Sequence, residues 1–453
     1  MIDAYYKGLL TNEANQINLE YIEIYGLFGK YNIYIPFEKQ VNIFIGENGI
    51  GKTTILNIIY FTLTGNFRKL LNVNFKKINI KFKNERELLT IFHDDLEDSR
   101  YILNLKNEER LINYFSDYER IPSSELFAVA RDLGISRERA KDILINNFNS
   151  EVMDKEYNKK VNHIEKLLKQ NIKEKILYLP TYRRIESELD SYRVRVLKRR
   201  IEGDEFLIHF GMSDVEDSLN NILNTIKNIS IQGYTKMTEL LLKQYADGVK
   251  PSSYYMDSGI MDFNEWGTIV EIVLERIGEK LDNEFKDKII HLIRSRKIEA
   301  KSYVYLVDLL NKLIDNYKLQ QKYDEKISMF CYTCNKYLIG KYLDYNLTSL
   351  EVKVRLLNSN AISSEYITLN SLSSGEKQIV SLFAKLYLED SGKSIVIIDE
   401  PELSLSIRWQ KMLLPDIMRS NNCGLLLTVT HSPFIFENEY DFDAQDIKKY
   451  ISI

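Results

Sequence analysis

"IFIGENGIGKTTILNII", residues 43–59, sets an apolar run against a glycine-bracketed loop that ends in Lys-Thr and opens onto an apolar stretch at helical spacing. The loop, Gly46-Glu47-Asn48-Gly49-Ile50-Gly51-Lys52-Thr53, fits the pattern GxxxxGK[ST] without a gap. "VNIFI" before it predicts a buried strand and "TTILNIIYFTL" after it predicts a helix. In that context the glycines let successive backbone N–H groups curl toward a phosphate, and the helix N-terminus adds partial positive charge. Lys52 then reaches the β- and γ-phosphates and the Thr53 hydroxyl can ligate Mg²⁺. The candidate nucleotide contacts are Gly46, Asn48, Gly49, Gly51, Lys52, Thr53 and Thr54. A chance glycine turn between a strand and a helix is the plainer alternative, and the flanking pattern argues against it.

A second motif lies near the other end of the chain, in "SIVIIDEPELSLS", residues 394–406. Ser394 to Ile398 has the composition of a buried strand and runs into two adjacent carboxylates, Asp399 and Glu400. Ligands of open α/β sheets bind beyond the carboxyl ends of the strands. There Asp399 would hold Mg²⁺ through its water shell and Glu400 would orient and polarise the attacking water. "SLSSGEKQIV", 371–380, places Leu372-Ser373-Ser374-Gly375-Glu376 before an apolar helix, so amides and a hydroxyl point from a helix N-terminus. "LLLTVTHSPFIF", 425–436, reads as a buried strand that delivers His431 at its end, where an imidazole can contact a γ-phosphate.

Bulk properties bound the remaining classes. A chain of 453 residues can bury a large core and suggests two or three structural units. Hydrophobic content of 44% and charged content of 28% suit a soluble globular protein, and no apolar run approaches a membrane span. The opening "MIDAYYKGLLTNEANQ" lacks the layout of a secretory signal, which predicts a cytoplasmic location without membrane contact. The net charge of −4 gives no overall attraction to nucleic acid, so any such contact must be local. Cys331 and Cys334 form a single CxxC with no second pair and no nearby His, which favours two buried thiols on one helical face over a zinc site.

Taken in order, the phosphate loop, a long insertion, LSSGE, an apolar strand ending in Asp-Glu and a strand ending in His resemble the ABC-type ATPase head of the SMC, Rad50 and RecF group. The resemblance spans residues 17–105 and 345–440. It implies an α/β fold: a P-loop ATPase head assembled from an N-terminal half, 1–105, and a C-terminal half, 345–453, around a largely helical insertion or lid, 106–344. It further implies hydrolysis of ATP with Mg²⁺, Thr53 and Asp399 at the metal, Glu400 as general base and His431 as switch histidine. Ser373 and Gly375 correspond to signature residues that contact ATP held by another head, so the resemblance implies a dimer of heads or a higher oligomer. Two features depart from the pattern. Residues 54–169 contain no Gln to sense the metal and γ-phosphate, leaving His93 or Asp94 as the nearest replacements, and Leu405 is followed by Ser406 where such heads usually carry Asp.

Between the halves, the chain is too interrupted for long heptad arms. "VNHIEKLLKQNIKEKIL", 161–177, and "SYVYLVDLLNKLIDNYKLQQKYDEKISMF", 302–330, carry apolar residues at three- and four-residue spacing and predict helices. "FAVARDLGISRERAKDIL", 127–144, has helix–turn–helix rhythm with Gly134 at the turn; a structural hairpin is expected, with DNA reading through Arg137, Arg139 and Lys141 as the alternative. "ILYLP", 176–180, predicts another buried strand, followed by Arg183 and Arg184, which suit a nucleotide phosphate, a nucleic-acid backbone or a partner's carboxylates. Glu186, Glu188 and Asp190 offer those arginines a local ion-pair lattice instead. The densest basic run, Arg193, Arg195, Lys198, Arg199 and Arg200, is the best candidate for a nucleic-acid footprint.

Within the ABC heads, "DEPELSL" and "THSP" most resemble the OLD-like branch, the AAA15 and AAA21 ATPases. OLD nucleases carry a Toprim domain after the head, whereas here only Ser432 to Ile453 follow His431, which predicts a chain without its own nuclease. The chain in this respect resembles stand-alone ATPases of antiphage systems: the AriA ATPases of PARIS, partnered by a Toprim nuclease, and the PtuA ATPases of Septu and retron systems, partnered by an HNH nuclease. That likeness implies a sensor or scaffold that holds and releases a separate nuclease in response to a phage-derived trigger. A RecF- or Rad50-like repair ATPase that clamps DNA is the alternative, and the acidic net charge leans against it.

Overall fold

Apolar, β-branched runs become strands and amphipathic runs become helices in a computed structural model that describes residues 17–47, 49–98, 155–180, 211–248, 263–277, 282–358, 361–389, 392–403, 405–420 and 422–453. The strands are β1 (Tyr21–Leu27), β2 (Tyr31–Pro36), β3 (Val41–Ile45), β4 (Lys77–Lys81), β5 (Leu89–Phe92), β6 (Lys175–Leu179), β7 (Lys341–Asn346), β8 (Glu351–Asn358), β9 (Ala361–Ile367), β10 (Ser394–Asp399), β11 (Cys423–Thr430), β12 (Ala444–Asp446) and β13 (Ile451–Ser452). The main helices are α1 (Lys52–Leu63), α2 (Lys155–Asn171), α3 (Met212–Ala246), α4 (Phe263–Arg276), α5 (Asn283–Arg294), α6 (Val304–Asn335), α7 (Ser374–Tyr387) and α8 (Ile407–Met418). The chain divides into two compact units, Met1–Phe210 with Asp390–Ile453, and Gly211–Glu389. The fold is thus α/β with a helical region in the middle of the chain, as the motif order predicts.

The first unit holds two sheets. One is antiparallel where paired, in the order β13-β2-β1-β4-β5; the other is parallel throughout, in the order β12-β3-β11-β10-β6. Every residue of β10 and β11 is buried, as expected of central parallel strands covered on both faces. Ile55, Leu56, Ile58 and Ile59 of α1 join the same buried cluster as Ile22 and Ile24 of β1, Ile395 of β10 and Leu427 of β11, so one helix serves both sheets.

Strand β6 comes from the stretch between the expected halves, yet pairs with β10 residue for residue from Ser394↔Lys175 to Ile398↔Leu179. The helical spacing read over 161–177 therefore stops short. The helix ends at Asn171, whose Oδ1 accepts from Asn18 Nδ2 at 3.0 Å, and the chain re-forms as strand from Lys175. Val161, Ile164 and Leu168 still bury the apolar stripe of α2. The buried strand expected over 176–180 forms as β6, whose Ile and Tyr suit a pleated surface better than the helical spacing read as far as 177.

The second unit is built on α3 and α6, which pack along each other, with α4, α5, α7 and the antiparallel sheet β7-β8-β9. Trp266, Val270, Ile289, Ile293, Leu310 and Ile314 lie in its helical core. Arg276, at the end of α4, is buried among them: it donates from Nη2 to Asp324 Oδ1 at 2.7 Å, from Nη1 to Gln320 Oε1 at 2.8 Å and from Nε to Leu347 O at 2.8 Å. Cys331 and Cys334 are both buried on α6, and burial pushes the Cys331 thiol up, which leaves it a protonated packing residue. The segment 127–144, Arg183 and Arg184, and the basic run at 193–200 lie outside the described residues.

The two long helices approach closely at Gly233, where an added Cβ would fall 1.9 Å from Asn316 Oδ1. Gly233→Ala should therefore force Asn316 from its site, where its Nδ2 donates to Ser230 O, and cost about 1–3 kcal/mol of stability in chemical denaturation. An unchanged midpoint would mean that the helices separate freely.

Candidate functional site

Register brings the motifs to one edge. In the parallel sheet Ile45 of β3 pairs with Thr430 of β11, and Val429 pairs with Asp399 of β10. Gly46, His431 and Glu400, the next residue on each strand, consequently leave the sheet side by side at its carboxyl edge, where open α/β sheets bind ligands.

The loop after β3 is shaped by its glycines. Gly51 caps α1 with φ of 91°, a left-handed conformation that other residues resist, and an added Cβ would meet the Phe28 ring at 3.1 Å. A Cβ on Gly46 would meet an Ile447 methyl at 2.9 Å. No side chain caps the first turn of α1, so the N–H groups that a helix start leaves without intrahelical partners stay available to an anion. Asn48 lies outside the described residues; Gly49 takes φ of 85°, and Thr54 sits half-buried in the first turn.

Lys52 is only 6% exposed, and its Nζ donates to Gly46 O and Glu47 O, each at 2.9 Å. Burial pushes its ammonium below the usual range, while Glu400, Asp399 and Glu402 pull it back up. Thr53 Oγ1 donates to Asp399 Oδ2 at 2.8 Å, joining the two motifs across the sequence. A hydroxyl and a carboxylate are hard oxygen donors. Among the described residues no cluster of three or more His, Cys, Asp or Glu could hold a metal by itself. This donor set fits Mg²⁺, which keeps several waters and substrate oxygens and takes one or two protein ligands. Thr53 and Asp399 are the residues that would hold it.

Glu400 adopts φ of 49°, left-handed for a residue with a side chain, at a cost of roughly 1–2 kcal/mol. Its amide donates to Val429 O at 2.9 Å, and His431 Nε2 stands 3.9 Å from its Oε1. Both side chains are partly exposed, at 26% for Glu400 and 34% for His431, so water and ligand can reach them.

Glu402 was not singled out by sequence reasoning, although it belongs to the same Asp-Glu-Pro-Glu run. Its Oε1 accepts from His431 N at 2.7 Å and Ser432 N at 3.2 Å, and its Oε2 accepts from Thr430 Oγ1 at 2.7 Å. The available signal was a further acid just past a Pro on a strand-end turn; its partners are remote in sequence and could not be read.

The signature residues lie in the second unit. Ser373 caps α7: its Oγ accepts from Glu376 N at 3.4 Å, and the Glu376 carboxylate accepts from Ser373 N at 2.7 Å and from Lys341 Nζ at 2.7 Å. Burial pushes the Glu376 carboxyl up, but the bonds from Lys341 and Ser373 outweigh it and hold the group below its usual value. Ser373 and Ser374 are exposed and Gly375 is buried. A capping serine accepts through a lone pair and still has an O–H to donate. His93 begins a short helix after β5 and packs edge-on against Phe75 with its amide on Lys76 O, while Ser406, at the departure from the usual Leu-Asp, caps α8. Arg183 and Arg184 lie outside the described residues.

Residues 19–436 match a family described as an AAA ATPase domain, AAA_15, and the chain belongs to that family. A comparison with curated proteins gives no match. Similar solved structures include the Smc head domain with an extended coiled coil bound to the C-terminal domain of ScpA from Pyrococcus furiosus, at 13% identity over 92% of this chain and 90% of that one, with a TM-score of 0.34. Another is the Smc head domain with a coiled coil and joint from Pyrococcus yayanosii, at 14% identity over 92% and 93% of the two chains, with a TM-score of 0.32. Among the described residues no helix is long and apolar enough to cross a membrane.

The strain at Glu400 makes a separable prediction. Glu400→Gly should raise the unfolding free energy by about 1 kcal/mol, because Gly adopts φ of 49° without steric cost, while removing ATP hydrolysis. Thermal unfolding and phosphate release on the same preparation check both halves.

Proposed function

We propose that this ATPase binds ATP with Mg²⁺ at the edge where β3, β11 and β10 end and couples its hydrolysis to association of two or more copies, so as to hold and release a separate nuclease. The observation that carries the nucleotide part is the 2.8 Å bond between Thr53 and Asp399, beside a buried Lys52 whose ammonium is held on the loop carbonyls of Gly46 and Glu47 and stabilised by the charge of three carboxylates. The amides of the 46–51 loop and Lys52 bind the phosphates, with Thr54 in the first helical turn. Bound Mg²⁺ supplies neutralisation of charge on the phosphate oxygens.

Glu400 takes the proton of the attacking water, and His431 approaches the γ-phosphate. Phosphoryl transfer asks for little covalent chemistry from the protein, so positioning and charge carry the rate. Ser373 and Gly375 of a second copy complete the site, with the Ser373 hydroxyl donating to the nucleotide. The support for this is the position of the Ser373 hydroxyl at a capped, exposed helix start.

The nuclease assignment is supported by the likeness of DEPELSL and THSP to OLD-like ATPases of antiphage systems. The expected partner is of Toprim or HNH type and the trigger phage-derived. ATP binding would favour one assembled state over another by its differential affinity, and slow turnover would suffice to reset it.

Lys52→Ala should remove the phosphate grip and weaken ATP binding, read by equilibrium binding of a fluorescent ATP analogue. Glu400→Gln should bind ATP, hydrolyse it at least 100-fold more slowly and accumulate as an associated species, on the order expected for loss of a catalytic base. Affinity purification of Glu400→Gln with ATP and Mg²⁺, co-expressed with the neighbouring open reading frame, followed by native mass determination, tests the assembly. A stoichiometric nuclease is the expected result. A nuclease-free dimer that retains DNA would replace this reading with a DNA clamp, and a monomer with bound ATP would overturn the composite site.

A further inference from the structure

We infer that Glu402 is a positioning residue that holds His431 against Glu400 and links both to the start of α8. This rests on the proposed roles of Glu400 and His431. The three acids at this edge differ in how their oxygens are used. Asp399 receives the Thr53 hydroxyl, and Glu400 stands open to water beside His431. Glu402 accepts from two backbone amides at Oε1 and from a hydroxyl at Oε2, all on Thr430-His431-Ser432. Three of its roughly four acceptor sites are taken by the segment that carries the histidine, which fits it to hold that segment and leaves little capacity to take a proton from water. Amide-to-carboxylate bonds are charge-assisted and stronger than neutral ones, so the clamp is stiff.

The clamp also bears on Glu400. Glu400, Pro401, Glu402 and Leu403 form one turn, closed by Leu403 N donating to Glu400 O at 3.2 Å. A left-handed Glu400 persists only if its surroundings over-determine it. The Glu402 carboxylate pins the turn from one side while Glu400 N, bonded to Val429 O, pins it from the other. One side chain thereby sets the backbone of both the base and the histidine, leaving the imidazole itself free to swing across the 3.9 Å gap.

A ring of hydrogen bonds extends this to α8. Ser432 Oγ donates to Gln410 Oε1 at 2.6 Å; Gln410 Nε2 donates to Leu405 O at 2.9 Å and to Glu402 O at 3.5 Å. A shift of the Thr430–Ser432 backbone would strain this ring and pull on Leu405 and the Ser406 cap, so a nucleotide that displaces this segment is felt at the start of α8.

The test is a double-mutant cycle on the full chain, reading kcat, KM for ATP and equilibrium binding of a fluorescent ATP analogue for wild type, Glu402→Gln, His431→Ala and the double variant. Glu402→Gln should lower kcat about tenfold with nucleotide affinity changed less than twofold, and should cost only about threefold once His431 is already Ala, that remainder acting through the turn at Glu400. Equal losses in both backgrounds, or a wild-type kcat for Glu402→Gln, would overturn the inference. Thr430→Val, which removes the bond to Oε2 together with the local bonds of the Thr430 hydroxyl to Ser432 N at 3.0 Å and Ser432 O at 3.5 Å, covers the case in which Glu402→Gln does not fold; it should lower kcat about threefold with the same dependence on His431, and additivity there would equally sink the proposal. Glu400→Gln and His431→Ala in the same assay separate the two levels: wild-type rates for either would bring down the roles on which the clamp depends, whereas losses in both with no coupling to Glu402 would bring down the clamp alone.

Discussion

Parallel pairing of β3 with β11 and of β11 with β10 is the constraint on which the site depends. It brings Thr53 and Asp399, 346 positions apart in sequence, to hydrogen-bond distance, and it does so through β10 and β11, which are buried on both faces, and the largely buried β3. Such strands cannot slip without exposing apolar side chains or leaving ladder groups unpaired, so the relative height of Gly46, Glu400 and His431 is set by the core and not by the loops. Closing so long a connection is entropically expensive only logarithmically, but it makes the site dependent on completion of the sheet.

Electrostatics then decide what each acid can do. Three carboxylates at one strand edge would repel each other in water-poor surroundings, and the chain answers with a distinct partner for each: a hydroxyl for Asp399, a nearby imidazole for Glu400, two amides and a hydroxyl for Glu402. Lys52 offsets them collectively while its ammonium is folded back onto the carbonyls of its own loop. Environments that differ in this way push chemically similar groups toward different roles.

Burial of charge has another meaning in the second unit. Arg276 and Asp324 are paired inside a helical core, with Gln320, Leu347 O and the Tyr317 ring taking up the remaining guanidinium surface. Each guanidinium nitrogen there has a structural partner, which is how a buried ion pair is tolerated and what distinguishes it from the ammonium of Lys52, whose acceptors are carbonyls that a phosphate could replace.

Much of the site was legible in the linear chain. The strand, glycine loop and helix around Lys52, the buried strands ending at Asp399 and Thr430, and the capped helix after Leu372 all follow from local patterning and short-range chemistry, because apolar periodicity, left-handed glycines and serine caps act within a few residues. What tertiary structure decided was whatever needed a remote partner. Which strand β6 pairs with depends on the edge offered by β10, and the strained backbone of Glu400 depends on the turn around it. The occupancy of Glu402 depends on a strand end that follows it by some thirty positions. Spacing along the chain records which groups are present; only the packed sheet determines which of them have their lone pairs already spent.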